Sequence, residues 1–202
     1  MRILGISGSL RRDSHNTRLL RAASALLPEG AELDVFGGLA EIPPFSEDVE
    51  NHPPESVLAL RAAIAGADAV LIATPEYNGT LPGQLKNALD WVSRPVGTSP
   101  LRGKPVAVIG ASTGMFGAVW AQADARKVLG LIGARVLDRE LPVPQAHETL
   151  RDDGLPHDDA LREALAELLG ELHTHAATPV AAAASASASH SQPQPQPQSL
   201  AA

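Results

Sequence analysis

The chain has no cysteine in 202 residues. Structural disulfides, thiolate zinc sites and thiol nucleophiles are therefore excluded, and any redox chemistry must come from a bound cofactor. Aromatic residues are scarce: one tyrosine, two tryptophans and three phenylalanines, 3% of the chain. An excess of basic residues is also missing. The formal net charge of −7 argues against broad electrostatic binding to nucleic acid or to an anionic membrane surface. No apolar run approaches the ~20 residues of a membrane span. The N-terminus passes from Met1-Arg2 straight into Ile3-Leu4-Gly5-Ile6-Ser7-Gly8, which suits a strand running into a loop better than a secretory signal. The expected compartment is the cytoplasm.

What is present is an alternation of short apolar runs and helical stripes. Residues 2–7, 31–36, 69–74, 105–110 and 134–137 read as strands. Between them, helical spacing is seen in Leu19, Ala23 and Leu26, and again in Val57, Leu60 and Ile64. Helices are expected over 16–27, from Pro54 onward, and over 82–92, 116–132 and 158–172. Pro54 suits a helix start, where its missing N–H costs nothing. Residues 37–54 read as a polar, proline-bearing connection. Strands without period-two alternation, set between helices, indicate a parallel sheet covered on both faces. Right-handed crossovers leave few topologies, and for five strands the order 2-1-3-4-5 is the simplest.

The composition changes after His175, where AATPVAAAASASASHSQPQPQPQSLAA has almost no large apolar residue and a Pro-Gln repeat. Such a run cannot bury enough surface to offset its ordering entropy. We therefore expect one α/β domain over 1–175 and a disordered tail over 176–202. A domain of that length buries about 70% of its unfolded surface.

In an open parallel sheet, ligands bind beyond the carboxyl ends of the strands. Three loops leave such ends. The first, Gly8-Ser9-Leu10-Arg11-Arg12-Asp13-Ser14-His15-Asn16-Thr17, offers neutral donors at Ser9, Ser14, Asn16 and Thr17, and a planar cation at Arg11. With the free N–H groups of the following helix, these suit one terminal phosphate. The loop has neither GxxxxGK[ST] nor GxGxxG, so it is neither a triphosphate loop nor a pyrophosphate turn. The plainer alternative is that Ser14 or Asn16 only caps the helix. The second loop, Thr74-Pro75-Glu76-Tyr77-Asn78-Gly79-Thr80-Leu81-Pro82-Gly83, contains the chain's one tyrosine. Asn78-Gly79 favours a turn with positive φ and exposed amides, against which a flat ring could lie. A tight turn plugged by Tyr77 is the alternative. The third, Gly110-Ala111-Ser112-Thr113-Gly114-Met115-Phe116-Gly117, has small residues that permit close backbone approach, or simply a flexible connection.

Taken together, Gly8-Ser9-Leu10-Arg11 with Ser14-x-Asn16, Pro75-Glu76-Tyr77-Asn78-Gly79, Leu81-Pro82-Gly83-x-Leu85-Lys86-Asn87-Ala88-x-Asp90-Trp91 and Gly110-Ala111-Ser112-x-Gly114 resemble the NADPH-dependent FMN reductase family, in the family's order. This is the flavodoxin-like group that includes bacterial quinone, chromate and azo-dye reductases. The resemblance implies a flavodoxin-like three-layer sandwich. It implies an FMN phosphate bound by Ser9, Arg11, Ser14, Asn16 and Thr17. It implies an isoalloxazine lined by Pro75, Glu76, Tyr77, Asn78 and Gly79 and by Ser112, Thr113 and Gly114. It further implies NADPH or NADH as donor and a small-molecule acceptor: a quinone, free flavin, azo compound or oxidised metal ion. Asp13 and the tail depart from the family pattern.

No side chain is assigned a catalytic role, because hydride passes directly between nicotinamide and flavin. Glu76 is read as shaping its loop. Lys86 and Asp90 form an i,i+4 pair. His173 and His175 lack a third ligand, so no metal site is assigned. The rival reading is a flavodoxin-type electron carrier. Such carriers shield the flavin between aromatic residues, and the sparse aromatics here favour an enzyme. The resemblance implies a homodimer or homotetramer with the flavin near the subunit boundary. Trp91, Phe116 and Trp120 are candidates for that boundary, with core packing of the tryptophans as the alternative.

Overall fold

The structure, a computed structural model, describes residues 1–178. The expected tail falls outside the described residues from 179 on. Five parallel strands form the sheet: β1 (Arg2–Ser7), β2 (Glu32–Val35), β3 (Ala69–Thr74), β4 (Pro105–Ala111) and β5 (Arg135–Val136), in the order β2-β1-β3-β4-β5. This is the expected topology. A sixth strand, β6 (Pro142–Val143), also pairs parallel with β4, at Gly110 and Ala111. The helices are α1 (His15–Ala23), α2 (Glu55–Gly66), α3 (Gly83–Val92), α4 (Val119–Ile132), α5 (Ala146–Thr149) and α6 (Asp159–Ala177).

β3 and β4 are buried at every position because alternate side chains enter two different cores. One core packs Leu60, Ile64, Leu85, Trp91 and Leu129 against Val70, Ile72, Val106 and Val108. The other packs Leu19, Leu20, Leu165, Leu168 and Leu172 against Ile3, Leu71 and Ile109. These are the two outer layers of a three-layer sandwich. At the edge, β2 alternates exposed Glu32 and Asp34 with half-buried Leu33 and Val35.

Several boundaries differ from expectation for local reasons. α4 begins at Val119 rather than 116, because Gly117 (φ 58°) and Ala118 (φ 62°) are left-handed and cannot belong to a right-handed helix. β5 is only two residues long. The chain leaves β4's edge after Leu137 and returns at Leu141, whose carbonyl accepts from Gly110 N at 3.2 Å. Two prolines around Val143 hide β6 from a periodicity reading. α6 runs to Ala177, past the expected 172, and the Arg135 guanidinium holds the carbonyls of His175 and Thr178 at its end.

The connection between β2 and α2 is strapped to α3. Gln84 Nε2 donates to Leu39 O (2.7 Å) and Ile42 O (2.9 Å), and Asn87 holds Pro43 O and Phe45 N. Trp91 is a core residue: it is 2% exposed, its indole N–H donates to Pro43 O at 2.8 Å, and it meets Phe45 edge-on. It is therefore not available to a subunit boundary. Lys86 and Asp90 form the expected pair at 2.6 Å.

Candidate functional site

Ser7, Thr74 and Ala111 end the three central strands at one edge of the sheet, and the three loops close around a cleft of about 310 Å³ there. Ser9, Arg11, Ser14 and Asn16 from the first loop line it, as do Pro75, Glu76 and Tyr77 from the second and Ser112 and Thr113 from the third. Thr17, Asn78, Gly79 and Gly114 are not among the residues that line it.

The first loop is wired by its own hydroxyls. Ser7 Oγ accepts from Thr17 Oγ1 (2.8 Å) and from Ser9 N (3.3 Å), and Ser9 Oγ accepts from Arg11 N (3.4 Å). Thr17 therefore shapes the loop from behind. Ser14 is the N-cap of α1, accepting from Thr17 N at 3.2 Å, and it also lines the cleft. The capping and ligand-facing readings of Ser14 are compatible, because its hydroxyl proton remains free. The amides of His15 and Asn16, in the first turn, have no acceptor among the described residues. Arg11 forms no ion pair among the described residues, whereas Asp13 is exposed and does not line the cleft.

Asn16 does something the sequence did not disclose. Its side chain is 2% exposed and takes both polar groups of Ala111: Nδ2 donates to Ala111 O at 2.8 Å, and Oδ1 accepts from Ala111 N at 2.9 Å. The amide stands in for a neighbouring strand at the end of β4 and bolts the first loop to the third.

The second loop is a two-residue hairpin turn. Asn78 (φ 53°) and Gly79 (φ 76°) are both left-handed, and Tyr77 and Thr80 exchange hydrogen bonds of 3.1 and 3.3 Å. Glu76 Oε2 accepts from Trp120 N (3.0 Å) and Ala121 N (3.1 Å), so it caps α4 and ties the second loop to the third. The third loop is held from behind rather than free. Ser112 N donates to Val143 O (3.1 Å), Ala146 N to Ser112 O (2.9 Å) and Gln145 N to Gly114 O (3.0 Å). A Cβ on Gly117 would lie 2.6 Å from Val143 N, so only glycine fits there. Buried Gln122 donates to Gly117 O (3.1 Å) and accepts from Leu141 N (3.1 Å).

Sequence reasoning missed His15 as a lining residue. It opens α1, lines the cleft, and has a buried Nδ1 with no partner. Burial first, then Arg11, Arg18 and His147, hold its pKa below the ordinary value of 6.5. Its position between the two quoted residues Ser14 and Asn16 was the available signal. Gln122 gave none, because it sits mid-helix.

The first-loop end of the cleft thus combines hydroxyls, an unpaired guanidinium and unpaired helix amides, a donor set for a phosphate monoester. The rest of the cleft is lined by Pro75, Glu76 and Tyr77 of the second loop and Ser112 and Thr113 of the third. No helix among the described residues is long and apolar enough to cross a membrane.

The model of the family described as NADPH-dependent FMN reductase matches residues 1–148. The NAD(P)H-dependent FMN reductase of Pseudomonas aeruginosa is 40% identical over 175 residues, covering 85% of this chain and 93% of its own. The quinone reductase of Escherichia coli K12 is 37% identical over 141 residues, covering 69% and 74%. Among solved structures, the flavoenzyme NAD(P)H:(acceptor) oxidoreductase FerB from Paracoccus denitrificans superposes with a TM-score of 0.75 at 34% identity, covering 86% of this chain and 98% of that one.

Proposed function

The chain belongs to the NADPH-dependent FMN reductase family, an FMN- and NAD(P)H-dependent oxidoreductase by that membership, and we propose that its cleft seats FMN with the phosphate in the first loop and reduces quinones. The observation that carries the placement is Arg11, unpaired among the described residues, in the loop that leads into the free His15 and Asn16 amides of α1. Ser9 and Ser14 add hydroxyls, while Asn16 and Thr17 hold the loop in shape. Pro75, Glu76 and Tyr77 with Ser112 and Thr113, which line the rest of the cleft, would hold the ring.

When bound, FMN supplies the redox chemistry, accepting a hydride from the nicotinamide and passing two electrons on to the oxidant. The chain's part is to position and to polarise. Glu76 and the α4 cap fix the second loop. Those amides of the second and third loops that make no internal hydrogen bond would stabilise negative charge on the reduced ring. Tyr77 is the one aromatic side chain lining the cleft, which leaves the ring open to a nicotinamide and disfavours the electron-carrier reading. Quinone is the preferred oxidant because relatives include the 2-hydroxy-1,4-benzoquinone reductase of a Burkholderia species, 46% identical over 128 residues. Purified protein should be yellow and release FMN rather than FAD. Tight binding of FAD without preference for FMN would remove the phosphate-loop assignment.

The same reading includes a homodimer, or a homotetramer built from it, in the cytoplasm. Met115, Phe116 and Trp120 are 77%, 60% and 50% exposed beside the ring end, with Phe116 and Trp120 stacked edge-on at 4.9 Å. Large apolar side chains of that exposure suit a partner surface. Sedimentation at micromolar protein should show a dimer that Phe116→Ser with Trp120→Ser dissociates. A wild-type monomer that still oxidises NAD(P)H would end the shared-site idea and leave the reductase intact.

A further inference from the structure

We propose that His15 binds the phosphate of FMN as an imidazolium, taking up a proton as the phosphate enters the first loop. The inference rests on the FMN reading above and adds a residue and a pH dependence to it.

The geometry comes first. His15 lies in the phosphate end of the cleft, between the capping Ser14 and the bolting Asn16. Its Nδ1 is shut off from solvent and meets no protein partner among the described residues. The ring's other nitrogen, Nε2, is neither buried nor bonded among the described residues, so it is the one a phosphate oxygen in the cleft can reach. Phosphate oxygens are acceptors, so that nitrogen must present N–H; the neutral ring can do so, and the charged ring adds Coulomb attraction to the phosphate.

Burial first, and then the surrounding charges, favour the neutral ring in the free protein. Those acting on it are Arg11 in the same loop, Arg18 one turn further along α1, and His147 on α5; no carboxylate is among them. Arg18 is itself held by Arg151 O at 2.7 Å, and His147 lies 3.5 Å from Glu148. The N-terminus of α1 also disfavours a cation on the ring. All these influences favour the neutral form, and together they make an excess of positive potential. A phosphate of charge near −2 reverses that balance.

The sign follows by linkage. The titration midpoint of His15 lies below 6.5 in the free protein and rises when FMN binds. The contribution to affinity is therefore complete below the free-protein midpoint and is lost as pH rises through the midpoint of the bound form. The second ionisation of the phosphate, near pH 6, works in the opposite direction at low pH. It does so equally in a variant without the imidazole, so the comparison cancels it.

Apo-protein is titrated with FMN and with riboflavin between about pH 6 and 8.5, following flavin fluorescence, for wild type and His15→Gln. As pH falls across this range, wild-type affinity for FMN should gain roughly threefold to tenfold on the variant, tenfold being one unit of midpoint shift. Riboflavin, which lacks the phosphate, should show no such gain. The imidazole resonances of His15 should titrate higher with FMN than with riboflavin, a readout that needs no variant. Parallel FMN curves for wild type and variant, or an unmoved His15 midpoint, overturn the inference while leaving the FMN site in place. Wild type that binds no FMN at any pH removes the functional reading and this inference with it.

Discussion

The two ends of the cleft are built on opposite principles. At the phosphate end, Ser14 and Asn16 are buried, every hydroxyl that shapes the loop has a partner, and Asn16 anchors the loop to β4. At the ring end, Tyr77, Met115 and Phe116 are exposed, and the loops are held from behind by Glu76, Thr80, Gln122 and the backing from β6 and α5. The difference is one of completeness. On the FMN reading, a single chain presets the first-loop donors before any ligand arrives, which keeps the ordering cost of binding low. The ring end is left for other molecules to cover: nicotinamide, oxidant or a second subunit.

The largest effect should come from cutting the anchor. Asn16→Leu leaves the N–H and C=O of Ala111 buried without partners, and should cost ~2–5 kcal/mol in urea unfolding, with FMN binding lost. A loss below ~1 kcal/mol, on the scale of an exposed substitution, would show that the phosphate end is not preset by this bolt. Arg11→Ala should spare stability but weaken FMN by ~1.5–3 kcal/mol in equilibrium dialysis, the worth of a charge-assisted hydrogen bond. Unchanged affinity would mean that the guanidinium faces solvent, and Arg12 would be tested next. At the ring end, Glu76→Ala removes the cap of α4 and should lower stability by ~1 kcal/mol. The comparison predicts that quinone turnover suffers more than FMN affinity in that variant; the reverse pattern would place Glu76 at the phosphate end functionally. Smallest of all, deleting residues 179–202 should leave FMN binding and melting temperature unchanged, because the segment has no core-forming pattern. The cut falls after Thr178 so that α6 and its contacts with Arg135 stay whole.

Sheet order, the two apolar cores and the three loops were legible in the sequence, because doubly buried strands and helical stripes leave strong periodic marks. β6 was not, since a two-residue strand that begins with one proline and is followed by another gives no period at all. The start of α4 was misplaced because Ala118 adopts a left-handed conformation that its side chain does not advertise. Within the site, residue types announced the donors but not their division of labour. Thr17 and Asn16 read as ligand donors, yet Thr17 braces Ser7 and Asn16 is committed to a backbone 95 positions away in sequence. Long-range side chain to backbone bonds of this kind depend on the folded arrangement and have no local signature. Trp91 and Trp120 looked alike on paper; only packing separates them, one under Phe45 and the other beside Phe116.

That separation gives the molecule an internal lamp and an internal reference. Trp91 sits in a dry, fixed setting with its indole N–H committed to Pro43. Its emission should be blue-shifted and insensitive to small aqueous quenchers. Trp120 is half exposed, and its own amide is held by the carboxylate of a cleft-lining residue. Its emission should be red-shifted, open to iodide or acrylamide, and sensitive to whatever settles over the ring end. With only two indoles in the chain, the red and blue halves of one emission band separate events at the mouth of the cleft from events in the core.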